Sequence, residues 1–368
     1  MFDWQAAALF PEEEARMTAD AFAPLERFSD LAKSAPPPDQ NAAAIVRARD
    51  KNLCKPPGSL GRLEEIVEWL AAWQRRAPPR AERMAIAVFA GNHGVTQQGV
   101  SAYPSEVTAQ MVANFRSGGA AINQIARSNG LELSVIPCQL DTPAGDITLT
   151  DAMSAEECAN AMELGAQSTA ETLDLLAIGE MGIGNTTSAS AIFYALFGGS
   201  TAAWVGPGTG VAGGALERKV SAVEKAVVRF RKENRPTPLE VLRCLGGREI
   251  AAMAGAILAA RHRRLPVLID GFVATAAAAV VAHMADGGID HCMIGHLSAE
   301  PAHVRVLERL GKRPLLNLDM RLGEGSGAGV AAAIVRLAVD VHRGMATFTE
   351  AGVSDTDAVN HPVDSKER

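Results

Sequence analysis

With 368 residues, the chain is long enough for one large domain with an accessory part or for two domains. Its 48% hydrophobic and 21% charged residues supply a sizeable buried core and are ordinary for a globular protein. The net charge of −7 provides no basic footprint, so we expect no nucleic-acid partner. Five scattered cysteines without a C-x-x-C pair indicate a reducing compartment and argue against a disulfide framework or a structural zinc site.

No segment has the pattern of a signal peptide or a membrane span. The N-terminal stretch MFDWQAAALFPEEEARM carries acidic residues and lacks a basic n-region. The most apolar stretch, GFVATAAAAVVAHMA at 271–285, is too short and too weakly hydrophobic to cross a bilayer. We therefore expect a cytoplasmic protein with no membrane partner.

The first elements in chain order are predicted to be helical. An N-terminal helical segment ends at the proline-rich break SAPPPDQ, residues 34–40. Residues 41–53 predict a helix, and CKPPGSLGR at 54–62 predicts a loop. In RLEEIVEWLAAWQRRA, residues 62–77, apolar positions recur at i, i+3, i+4 and i+7, which indicates an amphipathic helix.

From residue 84 onward, short apolar runs alternate with alanine-rich helical patterns. Apolar runs without polar alternation are typical of strands buried on both faces, and intervening helices indicate a parallel α/β sheet with right-handed crossovers. The runs are MAIAVFAGNHG (84–94), LSVIPCQL (133–140), LLAIGEMGIGN (175–185), TAAWVGPGTG (201–210), PVLIDGF (266–272), HCMIGHLS (291–298) and RPLLNLDMRLGEG (313–325). After them, residues 330–348 predict a C-terminal helix with an extension, and residues 355–368 a polar tail.

Chemically unusual side chains gather where these runs end. In open parallel sheets the ligand binds beyond the carboxyl ends of the strands, so a site is expected at that edge. The residues concerned are Asn92, His93, Glu180, Asn185, Thr209, Asp270, His296, Ser298 and Glu324.

Two glycine-rich loops predict a phosphate site. In GEMGIGN, Gly182 and Gly184 permit close backbone approach, and free N–H groups at 185–187 could hold a phosphate; the alternative is a capped helix after a tight turn. The loop is neither a Walker A motif nor a complete G-x-G-x-x-G.

The second loop, GPGTG at 206–210, places glycines around the Thr209 hydroxyl. Lys219, about two turns into the next helix, could reach a phosphate or a carboxylate, or it could be a surface lysine. Together the two loops favour a phosphate-bearing substrate.

The histidines at the strand ends do not form a recognisable metal set. His93, His296 and His303, with Ser298 and Glu300, lack the H-E-x-x-H or related spacing, and lone histidines there are often structural. Asp270 in LIDGF could bind a ribose hydroxyl or cap the turn, and both interpretations stay open.

Glu324 in GEGSGAG is the sharpest candidate for catalysis. An acidic residue at a helix N-terminus stabilises the helix by typically 0.3–1 kcal/mol. This explains the negative charge but not why the residues on either side of Glu324 are glycines. The bare backbone gives a ligand room to approach the carboxylate. The helix dipole favours the ionised form and desolvation opposes it, so the carboxylate could accept a proton from a bound heterocycle.

These strings together resemble one family closely, the nicotinate-nucleotide–dimethylbenzimidazole phosphoribosyltransferases. They occur in the family's order over residues 55–354. The matching strings are KPPGSLGRLE (55–64), GNHGV (91–95), PSEVTAQMVANF (104–115), GGAAIN (118–123), GEMGIGNTTSASA (179–191), GPGTG (206–210), CLGGREIAAMAGA (244–256), DGFVATAAA (270–278), GHLSAEPAH (295–303), LDMRLGEGSGAG (318–329) and FTEAGVS (348–354).

The resemblance implies a phosphoribosyl transfer in cobalamin lower-ligand assembly. A nitrogen of 5,6-dimethylbenzimidazole attacks C1′ of nicotinate mononucleotide, nicotinate departs, and α-ribazole 5′-phosphate forms with inversion. The leaving group is already cationic, so no metal and no cofactor are expected. The nucleophile must lose a proton, and Glu324 matches the family's catalytic glutamate, which implies that it is the general base.

The same resemblance implies the substrate-binding residues. The two glycine loops are expected to hold the 5′-phosphate and ribose, with Lys219 near the anionic groups and Met181 and Leu322 as apolar walls around the benzimidazole. The full set of expected binding residues is Glu180, Met181, Gly182, Gly184, Asn185, Thr186, Gly206, Gly208, Thr209, Gly210, Lys219, Asp270, His296, Ser298 and Leu322.

The family's architecture implies a Rossmann-like, mostly parallel α/β domain and a small helical domain built from both termini, assembled as a homodimer. We assign residues 1–75 and 329–368 to the small domain and residues 76–328 to the large one. Three alternatives stay open: a related transferase that prefers adenine or a phenol, a catalytically silent binding module, and an NAD-dependent dehydrogenase.

Overall fold

A computed structural model describes residues 25–170, 172–232 and 237–354 of the chain. By their contacts these residues form two compact units, one of residues 25–36 and 83–332 and the other of residues 37–82 and 333–354. The predicted division at residues 75 and 328 stays a prediction. The polar tail predicted at 355–368 lies outside the described residues.

The larger unit contains a six-stranded sheet in which every neighbouring pair is parallel. In chain order the strands are β1 (Met84–Ala90), β2 (Glu132–Pro137), β3 (Leu175–Met181), β4 (Val267–Ile269), β5 (Cys292–His296) and β6 (Pro314–Leu316). Their order across the sheet is β2-β1-β3-β4-β5-β6. The predicted α/β class with a parallel sheet is confirmed.

Helices flank the sheet and form the smaller unit. In chain order they are α1 (Glu26–Lys33), α2 (Gln40–Asn52), α3 (Arg62–Gln74), α4 (Glu106–Ser117), α5 (Ala121–Asn129), α6 (Ala155–Gln167), α7 (Asn185–Phe197), α8 (Gly214–Lys232), α9 (Pro238–Leu245), α10 (Arg248–His262), α11 (Phe272–Met284), α12 (Ala302–Leu310), α13 (Ser326–Gly344) and α14 (Phe348–Ala351). Within the described part of the chain, no helix is long and apolar enough to cross a membrane.

Small residues let the helices of the larger unit pack closely. A Cβ on Gly165 of α6 would lie 1.7 Å from the carbonyl oxygen of Ala252 in α10, and one on Gly255 would lie 1.9 Å from that of Met162. Since neither contact is possible for a larger residue, glycine is required on both sides of this helix pair. This crossing explains part of the high small-residue content of the sequence.

One predicted strand is wrong. The run TAAWVGPGTG forms a short 3-10 turn at Thr201–Ala203 and then a loop that leads to α8. The run is apolar because Trp204 is buried against the end of α7: its indole nitrogen donates to the carbonyl oxygen of Gly198 at 2.7 Å, and its ring packs on Phe193 and Phe197. Aromatic packing, not sheet pairing, accounts for its hydrophobicity.

The strand order places a crevice at the carboxyl ends of β1 and β3. From β1 the chain first extends the sheet to β2 and then reverses, so that β3 to β6 lie on the other side of β1. Such a reversal separates the loops that follow the two strands and is where open α/β sheets bind ligands. The loops after β1 and β3 carry His93 and the first glycine-rich motif, respectively.

In the smaller unit, the predicted loop between α2 and α3 is held by a buried lysine. Lys55 Nζ donates to Asp50 at 2.9 Å and to Glu64 at 2.8 Å. The same Glu64 oxygen accepts the N–H of Leu60 at 2.9 Å. One cation therefore joins the end of α2 to the start of α3 and fixes the loop between them.

Candidate active site

Glu324 sits in a loop of unusual backbone conformation. Gly323, Glu324 and Gly325 have φ values of 80°, 63° and 75°, all in the left-handed region. For a residue with a side chain, that region costs about 1–2 kcal/mol. The Glu324 N–H donates to the carbonyl oxygen of Glu180 at 3.0 Å, which holds the strained turn against the end of β3. Strain retained at one non-glycine residue points to a functional position.

The glycines around Glu324 are required by close approach to the sheet. A Cβ on Gly179 of β3 would lie 2.1 Å from the backbone nitrogen of Gly325, and one on Gly323 would lie 2.6 Å from Glu180 Oε1. The glycines thus bring the Glu324 loop into direct contact with the end of β3.

The Glu324 carboxyl is buried and poised to exchange a proton near neutral pH. The residue is 4% exposed, and its Oε2 has no hydrogen-bond partner among the described residues. Burial, with a smaller contribution from the negative charge of Asp270, raises the pKa of Glu324 to about 7. A carboxylate with this pKa is matched to general-base catalysis at physiological pH.

Glu180 lies beside Glu324 and shares its electrostatic environment. Its side chain is partly accessible, but burial of the carboxyl raises the pKa to about 8; Asn185 opposes this shift, whereas Asp270, Glu249 and Glu324 reinforce it. Asn185 Nδ2 donates to Glu180 Oε2. We call Glu180, Glu249, Asp270 and Glu324 the carboxyl cluster. Burial is the main reason that the pKa values of two of these carboxyls, Glu180 and Glu324, lie near neutral pH.

Asp270 contacts the first turn of α13. It is 1% exposed, and its Oδ1 accepts the N–H of Ala328 at 2.9 Å. His296 Nε2 lies 3.7 Å from the same oxygen, and His296 Nδ1 donates to the carbonyl oxygen of Leu297 at 3.1 Å. Asp270 therefore caps α13 at Ala328, 58 positions further along the chain, and its predicted role in substrate binding stays a prediction.

Lys219 joins the two glycine loops. It is 1% exposed, and its Nζ donates to the Thr186 hydroxyl and to the carbonyl oxygen of Gly206, both at 2.9 Å. Burial lowers the pKa of Lys219 to about 8, an effect that the nearby Glu300 opposes. The alternative of a surface lysine is therefore wrong. Gly208, with a φ of 56°, closes over this group: its Cβ would lie 3.1 Å from Lys219 Nζ.

The backbone N–H groups of the first glycine loop make more hydrogen bonds within the protein than the sequence suggests. The N–H groups of Asn185 and Thr187, expected to be free, donate to the carbonyl oxygens of Gly182 and Gly184 at 3.2 and 3.0 Å. The Ile183 N–H donates to the Thr108 hydroxyl of α4 at 3.1 Å. Backbone and side-chain hydrogen bonds therefore hold this turn.

The remaining expected site residues differ in exposure. Met181 is partly buried at the end of β3, whereas Leu322 is 54% exposed and Thr209 and Gly210 lie at the surface. The Ser298 hydroxyl accepts the N–H of Glu300 at 3.3 Å. The roles predicted for these residues stay predictions.

Two of the histidines have partners that explain them structurally. His303 Nδ1 accepts the N–H of Ser298 at 2.9 Å, and burial lowers the pKa of His303 to about 3, so the ring is neutral. His93 Nε2 lies 2.6 Å from Glu249 Oε1, and its Nδ1 lies 3.1 Å from the Ser188 hydroxyl. No three or more His, Cys, Asp or Glu side chains of the described chain are arranged to hold a metal ion.

Sequence reasoning missed Glu249, the fourth carboxyl of the cluster. The residue is fully buried at the start of α10, and its Oε2 has no hydrogen-bond partner in the described structure. A Cβ on Gly91 would lie 2.3 Å from that oxygen, so the glycine after β1 makes room for it. The available signal is the charged pair in CLGGREIAAMAGA, since ionisable residues are rare in an otherwise apolar helix.

The chain is a phosphoribosyltransferase, because a family model of that description matches residues 35–353. Among curated relatives, the nicotinate-nucleotide–dimethylbenzimidazole phosphoribosyltransferase of a Methylorubrum extorquens strain is 67% identical, with 88% of this chain and 94% of that protein covered. The enzyme of the same name from a Rhizobium etli strain is 59% identical, with 90% of this chain and 97% of that protein covered.

A solved structure is also similar to this chain. CobT from Thermus thermophilus superposes with a TM-score of 0.80 at 44% identity, covering 85% of this chain and 99% of that one. The chain belongs to the nicotinate-nucleotide–dimethylbenzimidazole phosphoribosyltransferase family and is a transferase. The resemblance seen in the ordered motifs is thereby confirmed.

Proposed function

We propose that this chain transfers the 5-phosphoribosyl group of nicotinate mononucleotide to 5,6-dimethylbenzimidazole, releasing nicotinate and forming α-ribazole 5′-phosphate with inversion at C1′. Glu324 is the general base. The observation that carries the proposal is its buried carboxylate, with Oε2 without a hydrogen-bond partner among the described residues and a pKa raised to about 7. The curated relatives' names support the substrates.

The reaction balances without a general acid. The acceptor nitrogen forms a bond to C1′ as the C1′–pyridinium bond breaks, and the bonding electrons leave with nicotinate, whose ring nitrogen becomes neutral. The acceptor's other ring nitrogen loses its proton to the Glu324 carboxylate. Because positive charge resides on the pyridinium and spreads to the ribosyl carbon as the bond breaks, the ionised carboxylates of the cluster also stabilise the transition state electrostatically.

Lys219 and the two glycine loops that it joins are assigned to binding of the 5′-phosphate of nicotinate mononucleotide. Lys219 touches Thr186, the residue next to Asn185, and Asn185 in turn donates to Glu180. The phosphate site and the carboxyl cluster are thus joined through adjacent residues of α7. Holding donor and acceptor in one geometry supplies much of the rate in such transfers. The homodimer and the cytoplasmic location implied by the resemblance stay predictions.

The test is an assay of the purified full chain with nicotinate mononucleotide and dimethylbenzimidazole, in which α-ribazole phosphate is separated by chromatography. Glu324→Gln should reduce kcat at least 10²-fold with little change in mononucleotide binding, since general-base catalysis contributes about 10²–10⁴-fold. Glu163→Gln is the matched control, because this carboxylate forms an ion pair with Arg27 away from the site. Near-normal turnover in Glu324→Gln would contradict the base assignment, and faster turnover with adenine would assign a different acceptor.

A further inference from the structure

Asp270 contacts the backbone that follows Glu324. It follows β4, and its Oδ1 accepts the N–H of Ala328 at 2.9 Å in the first turn of α13. The backbone N–H groups of Gly325 and Gly327 also face the carboxylate and, with Ala328, favour its ionised form. Asp270 therefore binds the backbone on the C-terminal side of Glu324.

Glycines on two elements set His296 against Asp270. A Cβ on Gly327 would lie 1.9 Å from His296 Cδ2, and a Cβ on Gly271 would lie 2.8 Å from His296 Nε2. His296 Nε2 stands 3.7 Å from Asp270 Oδ1 and makes no hydrogen bond within the described chain. The close packing leaves a fully buried carboxylate faced by backbone N–H groups and one imidazole, which suits a support better than a substrate contact.

The charged groups around Glu324 come from four elements. Asp270 acts on it from the end of β4 and Glu180 lies at the end of β3. His296 of β5 lies next to Asp270, and Glu249 at the start of α10 acts on Glu180. Burial raises the pKa of Asp270, while His296 and the backbone N–H groups of Ala328, Gly327 and Gly325 oppose that shift. After burial, the Asp270 charge is the second cause of the raised pKa of Glu324.

We propose that Asp270 is a positioning residue that anchors the Glu324 loop through α13 and whose negative charge makes Glu324 a stronger proton acceptor. The inference rests on the proposed function, because it concerns the base in that reaction. Asp270 acts through Glu324 and does not touch the reacting atoms.

The test is the pH dependence of kcat in Asp270→Asn. The amide keeps an oxygen that can accept the Ala328 N–H but removes the charge, so Glu324 becomes a weaker base that ionises at lower pH. We expect kcat at pH 8 to fall by roughly threefold to tenfold. The midpoint of the acid limb should move to lower pH by roughly half a unit or more, with KM for nicotinate mononucleotide little changed.

The matched control is Asp39→Asn in the other unit. Asp39 also caps a helix, accepting the N–H groups of Asn41 and Ala42 at 2.9 and 3.1 Å. Its substitution should leave the pH profile of kcat unchanged. A profile of Asp270→Asn that overlays the wild type, or a loss of kcat equal at every pH, would overturn the charge role.

A measurement on the wild-type protein covers the case in which Asp270→Asn does not fold. In a ¹³C NMR titration of the side-chain carboxyls, the Asp270 signal should show an inflection at the pH where Glu324 titrates, and independent titrations would overturn the proposal. Failure of the proposed function is distinguishable: there the wild type forms no α-ribazole phosphate, or Glu324→Gln retains activity. If the wild type is active, Glu324→Gln is inactive and Asp270→Asn is unchanged, only the present inference fails.

Discussion

Replacing Gly179 by alanine should displace the Glu324 loop without contacting any side chain of the candidate site. The new Cβ would lie 2.1 Å from the Gly325 nitrogen, 2.3 Å from its Cα and 3.0 Å from the carbonyl carbon of Glu324. Real Cβ contacts essentially never fall under 3.0 Å, so the gap must open by about 0.9 Å, that is, 3.0 minus 2.1. All three atoms belong to the backbone, so no side chain can rotate away.

A misplacement of about 1 Å near reacting groups can cost about 10²-fold in rate. We therefore expect Gly179→Ala to reduce kcat by about 10²-fold, while overpacking costs about 1–3 kcal/mol of unfolding free energy. The assay is α-ribazole phosphate formation at saturating substrates, with urea unfolding of the same preparation. Gly344→Ala is the control, because a Cβ there meets nothing within 4 Å. Wild-type kcat in Gly179→Ala would refute the claim that loop placement limits the reaction.

Three further predictions concern buried charges. Lys219→Met should raise KM for nicotinate mononucleotide at least tenfold, measured by initial rates, and an unchanged KM would contradict the anion-binding role. Lys55→Met leaves Asp50 and Glu64 without their shared cation and should lower the free energy of urea unfolding by about 3–5 kcal/mol. A decrease below about 1 kcal/mol would refute the claim that Lys55 holds α2 to α3. Burial raises the pKa of Glu180 to about 8, well above that of the same carboxyl in the unfolded chain. The buried Glu180 therefore lowers the free energy of unfolding increasingly as the pH rises from about 5 to 9. Glu180→Gln should therefore gain stability relative to the wild type at pH 9 but not at pH 5, measured by thermal unfolding, and an equal difference at both pH values would contradict this.

The strands could be predicted from sequence where an apolar run is buried within the sheet. Every residue of β1 is buried, as its uninterrupted hydrophobic sequence indicates. The run at 201–210 contains a similar short apolar stretch, AAWV, but its Trp204 is buried by aromatic packing against α7, and sequence alone does not distinguish these causes of burial. Only the partner in space decides whether such a run becomes a strand.

Glu324 could be singled out from the sequence as a candidate because its glycines are close to it in the chain. Asp270 was placed at the correct edge of the sheet, but its partner, the Ala328 N–H, is 58 positions away. Glu249 was missed because its contact is still more distant in sequence: His93 lies 156 positions before it. Which carboxyls share one electrostatic environment therefore depends on tertiary contacts that composition and spacing do not reveal.

The most direct test of the central claim is chemical rescue of Glu324→Ala by an added carboxylate. The variant removes the proposed base and leaves a space beside the bound acceptor. We predict that formate or acetate restores α-ribazole phosphate formation in proportion to its concentration, and that the more basic acetate is the more effective of the two where both fit. A variant that binds nicotinate mononucleotide normally but gains no activity at any formate or acetate concentration would contradict it.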